Sequence, residues 1–134
     1  MHASVISVVQ KCHEASEADR LSFPQILSEL YSVGIEGYFV DYRRSSKTYY
    51  QPDGESLELA FPPVDAKVDA IFDAGVVQTA IREAQTNAQG YTYRGFCKKI
   101  IEAGCAGYIV SLLGRRVVYY GRTGETHIEL FPGT

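Results

Sequence analysis

A chain of 134 residues with 46 % hydrophobic and 22 % charged side chains has the length of one domain and enough apolar material for a core, which excludes a disordered chain. The formal net charge of −3, from 13 basic and 16 acidic residues, argues against general nucleic-acid binding, because phosphate contacts ask for a basic excess. No apolar run approaches the roughly 20 residues that span a bilayer, and the first ten residues carry no basic segment ahead of their apolar ones, so neither membrane insertion nor a signal peptide is expected.

Val5, Val8, Val9 and Cys12 recur at helical spacing and predict a first amphipathic helix. Ser22 is placed to cap a second, with Pro24 in its first turn and Phe23, Ile26, Leu27, Leu30 and Tyr31 as its inward face. Gly34 stands where that helix should end in a left-handed residue. Three strands rich in β-branched and aromatic residues are expected at about 36–42, 47–51 and 56–61. Arg43-Arg44-Ser45-Ser46 turns the chain between the first two. Pro52-Asp53-Gly54 does so before the third, with Gly supplying a positive φ.

After Pro62-Pro63, residues 64–72 alternate through Val64, Ala66, Val68, Ala70 and Phe72, and an extra connecting strand is expected there. The order of elements then starts again. Asp73 caps a helix facing inward with Val77, Ala80, Ile81 and Ala84. Thr92 caps another, facing inward with Tyr93, Phe96, Cys97, Ile100 and Ile101. Gly104 repeats the role of Gly34. Strands follow at about 106–112, 116–120 and 126–131, joined by turns at Gly114-Arg115-Arg116 and Arg122-Thr123-Gly124.

Sliding the chain by 70 residues lays 22–62 on 92–132 without a gap and gives ten identities, among them Gly34/Gly104, Gly37/Gly107, Tyr38/Tyr108, Tyr49/Tyr119, Tyr50/Tyr120 and Gly54/Gly124. The reading is an internal tandem duplication of an ααβββ unit. Copy one covers about 3–62 and copy two about 74–132. Two copies fall short of a solenoid. They imply one pseudo-twofold α+β domain, its sheet mostly antiparallel because the strand connections are short, with the helices packed on it.

The segments TYRGFCKKIIEAGCAGYIVS (92–111) and GRRVVYYGRTGETHIELFP (114–132), with SFPQILSELYSVGIEGYFVDY (22–42) and TYYQPDGES (48–56), resemble the YbcV-like small proteins of bacteria and prophages, often labelled "phage envelope protein". The resemblance implies a bacterial or prophage origin and this fold and size. The family is one of unknown function, so it carries no catalytic residues across.

Several residue sets invite a chemical reading. Neighbours on a strand point to opposite faces, so Tyr49-Tyr50 and Tyr119-Tyr120 each offer one ring to the core and one outward. With Tyr38 and Tyr108 beside them they suit a ligand platform, although cross-strand packing is their ordinary use. Arg115, Arg116 and Arg122, with Arg43, Arg44 and Lys47, form a basic rim for an anion if the turns lie together. Glu55 and Glu125 are repeated carboxylates for acid–base work, though each also fits a solvated strand start. Cys97 lies near a helix start, followed by Lys98 and Lys99, which favours a thiolate. A lone Cys on an apolar helix face is more often core. Cys12, Cys97 and Cys105 are an odd set without CxxC and read as reduced cytoplasmic thiols. His2, His13 and His127 lack metal spacing, and His13 is expected on a helix surface. No metal and no cofactor are expected.

The leading reading is a non-enzymatic binding or regulatory module, monomer or homodimer, that takes a protein partner or small ligand where the copies meet. The alternative is a small enzyme using Cys97 or the pair Glu55 and Glu125. A third, resting on the family label alone, is a structural component of a phage particle.

Overall fold

Capping side chains set the helix starts. In the computed structural model, which describes residues 1–133, the Ser22 and Gln25 side chains cap one another's backbone N–H groups, Asp73 accepts from the Val76 N–H, and Thr92 accepts from the Gly95 N–H. Each cap satisfies an amide that the helix itself leaves unpaired. The resulting order is α1 (Ala3–Glu17), α2 (Phe23–Ser32), β1 (Gly37–Asp41), β2 (Ser46–Tyr50), β3 (Ser56–Ala60), α3 (Ala74–Gln85), α4 (Tyr93–Glu102), β4 (Cys105–Ser111), β5 (Arg116–Gly121) and β6 (Thr126–Leu130). Gly34 closes α2 at φ +83°, with Gly34 N–H donating to Tyr31 O and Ile35 N–H to Leu30 O.

The fold is α+β, with six strands in one antiparallel sheet ordered β3-β2-β1-β4-β5-β6. β1 and β4 meet at its centre, where Gly37 faces Ser111 and Asp41 faces Gly107. This register maps onto itself under the 70-residue shift, since 37 becomes 107 and 41 becomes 111. Tyr38, Val40, Tyr49, Tyr108, Val110, Val117 and Tyr119 point from the sheet into the core, where they meet Val9, Cys12, Leu30, Val77, Ile100 and Ile101 from the helices. Apolar burial of this kind supplies the main favourable term of folding.

Four expectations need correction. Residues 64–72 form no strand: Val64, Ala66 and Val68 half-bury as the alternation implies, but the segment pairs with no strand. It ends by laying Phe72 against Gly121 and the Ile71 carbonyl over Gly104, two places where a Cβ would collide. On α2, Phe23 and Tyr31 face solvent rather than the core, because only Ile26 and Leu30 are fully covered. His13 is buried instead of lying on a helix surface. Lys47, expected on an exposed basic rim, is buried within the sheet's helix-covered face.

Candidate functional site

Strand alternation places Lys47 on the same face of β2 as Tyr49, opposite Val40 of β1 and Leu59 of β3. The side chain is 2 % exposed. Its ammonium nitrogen lies 4.6 Å from the Tyr93 ring centroid and makes no hydrogen bond or ion pair with the described residues. Burial lowers its pKa, opposed by the nearby Glu17 carboxylate.

Around this amine the two halves of the chain contribute polar groups. Tyr42, just beyond β1, donates its hydroxyl to Cys97 Sγ on α4 at 3.3 Å. The Tyr93 and Tyr108 hydroxyls are 2.6 Å apart. On α1, His13 Nε2 lies 3.0 Å from Ala60 O, which can only accept, so Nε2 carries the proton and Nδ1 accepts from the Tyr49 hydroxyl at 3.3 Å. Burial is the main force on the thiol, the phenols and the imidazole here. It pushes the Cys97 thiol and the Tyr42, Tyr49, Tyr93 and Tyr108 phenols up, and His13 down. Neutral forms are therefore favoured throughout.

Arg94 ties down the cover of this cluster. Its Nη1 donates to Glu17 at 3.0 Å, and its Nη2 donates to the carbonyls of Pro62 and Pro63 at 3.1 and 3.0 Å. The clamp joins α1, α4 and the start of the connecting segment.

Among the described residues the opposite face of the sheet carries no helix. Ile109 is 43 %, Ile128 50 % and Leu130 49 % exposed, with Tyr50 also exposed and Phe39, Val118 and Tyr120 half-buried. Phe39 and Tyr120 stack there at 5.9 Å with an interplanar angle of 8°. Gly107 makes room for this, because a Cβ on it would run into the Tyr120 ring. Register aligns Ile109, Val118 and Ile128 in one apolar row across β4, β5 and β6.

The residues singled out from sequence thus separate. Tyr38, Tyr49, Tyr108 and Tyr119 line the core, each packed on another of the set at 5.2 to 6.5 Å. Tyr50 and Tyr120 lie on the open face. Arg115 packs its guanidinium 5.9 Å from the Phe131 ring, and Arg116 Nε donates to Gly114 O. They do not join Arg43 and Arg44: β1 and β4 are antiparallel, so these turns sit at opposite ends of the strands. The same geometry parts Glu55 from Glu125. Glu55 pairs with the N-terminal ammonium, and Glu125 accepts from the Thr123 hydroxyl. Lys98 and Lys99 are exposed, while the Cys97 thiol is buried.

Sequence reasoning missed Lys47 as a core residue. The signal was present: it lies two residues before an inward Tyr and aligns with Val117 under the 70-residue shift. Two open grooves run along α3 and α4, lined by Asp73, Val76, Glu83 and Lys99, and neither reaches Lys47 or the tyrosines. Among the described residues no three His, Cys, Asp or Glu side chains converge as a metal site requires. No described helix is long and apolar enough to cross a membrane.

No curated protein matches the chain. A family model described as "Protein of unknown function (DUF1398)" matches residues 10–129, nearly the whole length, and the chain belongs to that family.

Proposed function

We propose that the protein is a non-enzymatic binding module that takes a partner protein on the open face of its sheet. The observation that carries this is the uncovered row Ile109, Val118 and Ile128, bordered by Tyr120 and Leu130. Six strands at ~4.8 Å spacing and five residues at ~3.4 Å give a face of roughly 29 by 17 Å. This area of about 500 Å² covers the whole face, including the polar Thr48, Ser56 and Glu58, and stands at the small end of specific interfaces. Arg116, paired with Leu130 on this face, borders the apolar row, which suits a partner with an apolar centre and acidic edge. Neither of the grooves along α3 and α4 opens on this face, which favours a protein surface over a small ligand. The likeness to YbcV-like proteins supports a bacterial or prophage setting and a cytoplasmic partner.

Photo-crosslinking in the host cell tests the reading. A crosslinking residue at Ile128 should give one discrete heterologous adduct. That adduct should disappear when Ile109→Asp is added and be absent with the crosslinker at Lys98 on the helix side. Equal adducts from both positions, or none from Ile128, would reject it. An adduct of twice the chain's mass would identify a second copy instead and also reject it.

A further inference from the structure

We propose that the groove along α3 and α4 takes a basic segment of a partner protein, seated on one apolar anchor residue. The groove lies on the helix side, apart from the open face of the sheet, and does not rest on the reading given to that face. Its two hollows, of about 490 Å³ each, share Asp73, Val76 and Lys99 and so join into one. Each falls within the ~300–1,000 Å³ of ordinary binding sites. Ile71 stands in its wall at 77 % exposure, the highest of any large apolar side chain among the described residues, and Val76 also lies open. The segment that carries Ile71 is pinned. The Ile71 N–H donates to the Asp69 carboxylate at 3.0 Å, its carbonyl lies over Gly104, and the next residue, Phe72, is buried. The Asp73 N–H then donates to Ala103 O at 2.7 Å. An exposed isoleucine held from both sides needs little further ordering when a partner covers it, which favours association there.

Charge selects the partner. Four carboxylates, Asp69, Asp73, Glu83 and Glu102, and one ammonium, Lys99, line the groove. Their net of −3 equals the formal net charge of the whole chain, so the remainder of the molecule is balanced. Lys99 pairs with Glu83 at 3.0 Å. Asp69 and Asp73 accept backbone N–H groups, from Ile71 and Val76, and neither they nor Glu102 pair with a cation among the described residues. Arg122 donates to Val68 O beyond Asp69 and does not line the groove. Lys98, about 100° round α4 from Lys99, does not line it either. The other helix pair differs. The places of Val76, Thr79, Glu83, Lys99 and Glu102 are held on α1 and α2 by Ser4, Ser7, Lys11, Glu29 and Ser32, where Lys11 and Glu29 balance one another. An apolar wall with a surplus of carboxylates fits a segment whose large apolar residue is flanked by lysine or arginine. The apolar side chain covers Ile71 and Val76, and the cations meet Asp73 and Glu102. An acidic segment is repelled.

Selection of a displayed library of random dodecapeptides on the intact folded protein tests this. Enriched peptides should share a large apolar residue with Lys or Arg within a few positions of it. One of them, synthesised with a fluorophore, is then titrated with the protein and followed by anisotropy. Ile71→Ser should weaken its binding roughly tenfold or more, as truncating a central anchor does. Glu102→Lys should weaken it roughly fivefold at low salt and by less as salt rises. Both side chains are exposed, so the variants should fold, and thermal unfolding of each checks that they do. Ile109→Asp, on the open face of the sheet, should leave the affinity unchanged, so the groove and that face stand or fail separately. The proposal is overturned by no enrichment, by a consensus that is acidic or lacks cations, by a peptide that binds Ile71→Ser as tightly as the parent, or by one that Ile109→Asp releases.

Discussion

The two ends of the sheet that the 70-residue shift relates are built from the same elements but filled with opposite chemistry. At the first end stand Tyr42, Lys47, Tyr93, Arg94 and Cys97. Their counterparts at the second are Leu112, Val117, Phe23, Pro24 and Leu27. The first end is polar and closed, with Lys47 at 2 % exposure beneath the Arg94 clamp. The second is more open: Phe23 rests edge-on against Phe131 at 6.1 Å yet stays 41 % exposed, Leu113 is 70 % exposed, and the His127–Glu129 ion pair stands where the first end has Leu57 and Leu59. Each end shows what the fold requires of the other. At position 117 the second shows that an aliphatic side chain can take the place that Lys47 holds at the first. The amine, thiol and phenols are what set the first end apart from the second.

The comparison breaks most sharply if the second end accepts a lysine. Val117→Lys buries an amine with only the half-buried Glu129 opposite it, and should cost about 3 kcal/mol, the low end for an uncompensated buried charge. A urea midpoint that moves by less than a quarter of that would show that burying an amine here is cheap, and Lys47 would lose its significance. The helix ends give the next largest contrast. Gly34 and Gly104 both have positive φ, at +83° and +90°. A Cβ on Gly34 meets nothing within 4 Å, whereas on Gly104 it runs into the Ile71 carbonyl and lies 2.9 Å from the Phe72 Cα. Gly34→Ala should cost about 1–2 kcal/mol for the left-handed conformation alone, and Gly104→Ala roughly 1–3 kcal/mol more for the collision. Equal losses in thermal unfolding would mean the connecting segment does not press on Gly104.

What was legible in the sequence was what short-range chemistry decides. Caps at Ser22, Asp73 and Thr92, the glycine helix ends, the positive φ of Gly54 and Gly124, and all six strands follow from residues within a few positions of each other. Segment 64–72 misled because alternation reports which side is buried, not whether a neighbouring strand is free to pair. Phe23 and Tyr31 misled because α2 carries a wider apolar stripe than its neighbours cover. The candidate site was hidden for a different reason. Tyr42 meets Cys97 across 55 residues and His13 meets Tyr49 across 36. Periodicity within one element does not show such meetings. Lys47 was concealed by its own charge, which outweighed an alternation that already pointed it inward.

Replacing the amine should improve the fold. Lys47→Met keeps the volume and the apolar stem and removes the desolvation cost, so a gain of about 1–3 kcal/mol is expected. The linkage agrees in sign: a lysine whose folded pKa lies below 10.5 weakens the native state at neutral pH, where the unfolded chain holds the proton more tightly. A loss of stability in urea titration would mean that Lys47 is held by interactions the geometry does not show.

The smallest effect expected is the pH response of the first end. His13 is buried with both ring nitrogens committed, Nε2–H to Ala60 O and Nδ1 to the Tyr49 hydroxyl, so protonation must reverse the second bond, with Nδ1–H donating to a phenol that gives up its own donor role. Its folded pKa lies below 6.5, chiefly through burial, and the unfolded chain therefore binds the proton more readily. The stabilisation this supplies is complete above pH 6.5 and drains away as pH falls through the folded value. Ordinary carboxylates, near 4.3, stay ionised in the upper part of that window. On α1 and α3 the inward stripes align at an offset of 72, Val5, Val8, Val9 and Cys12 on Val77, Ala80, Ile81 and Ala84, which puts Gln85, a side chain that cannot titrate, at the place of His13. His13→Gln should therefore flatten the dependence of the urea midpoint on pH between 7.5 and about 5.5, whatever it does to the midpoint itself. A variant that keeps the native slope would place the titrating group elsewhere and remove His13 from the polar end.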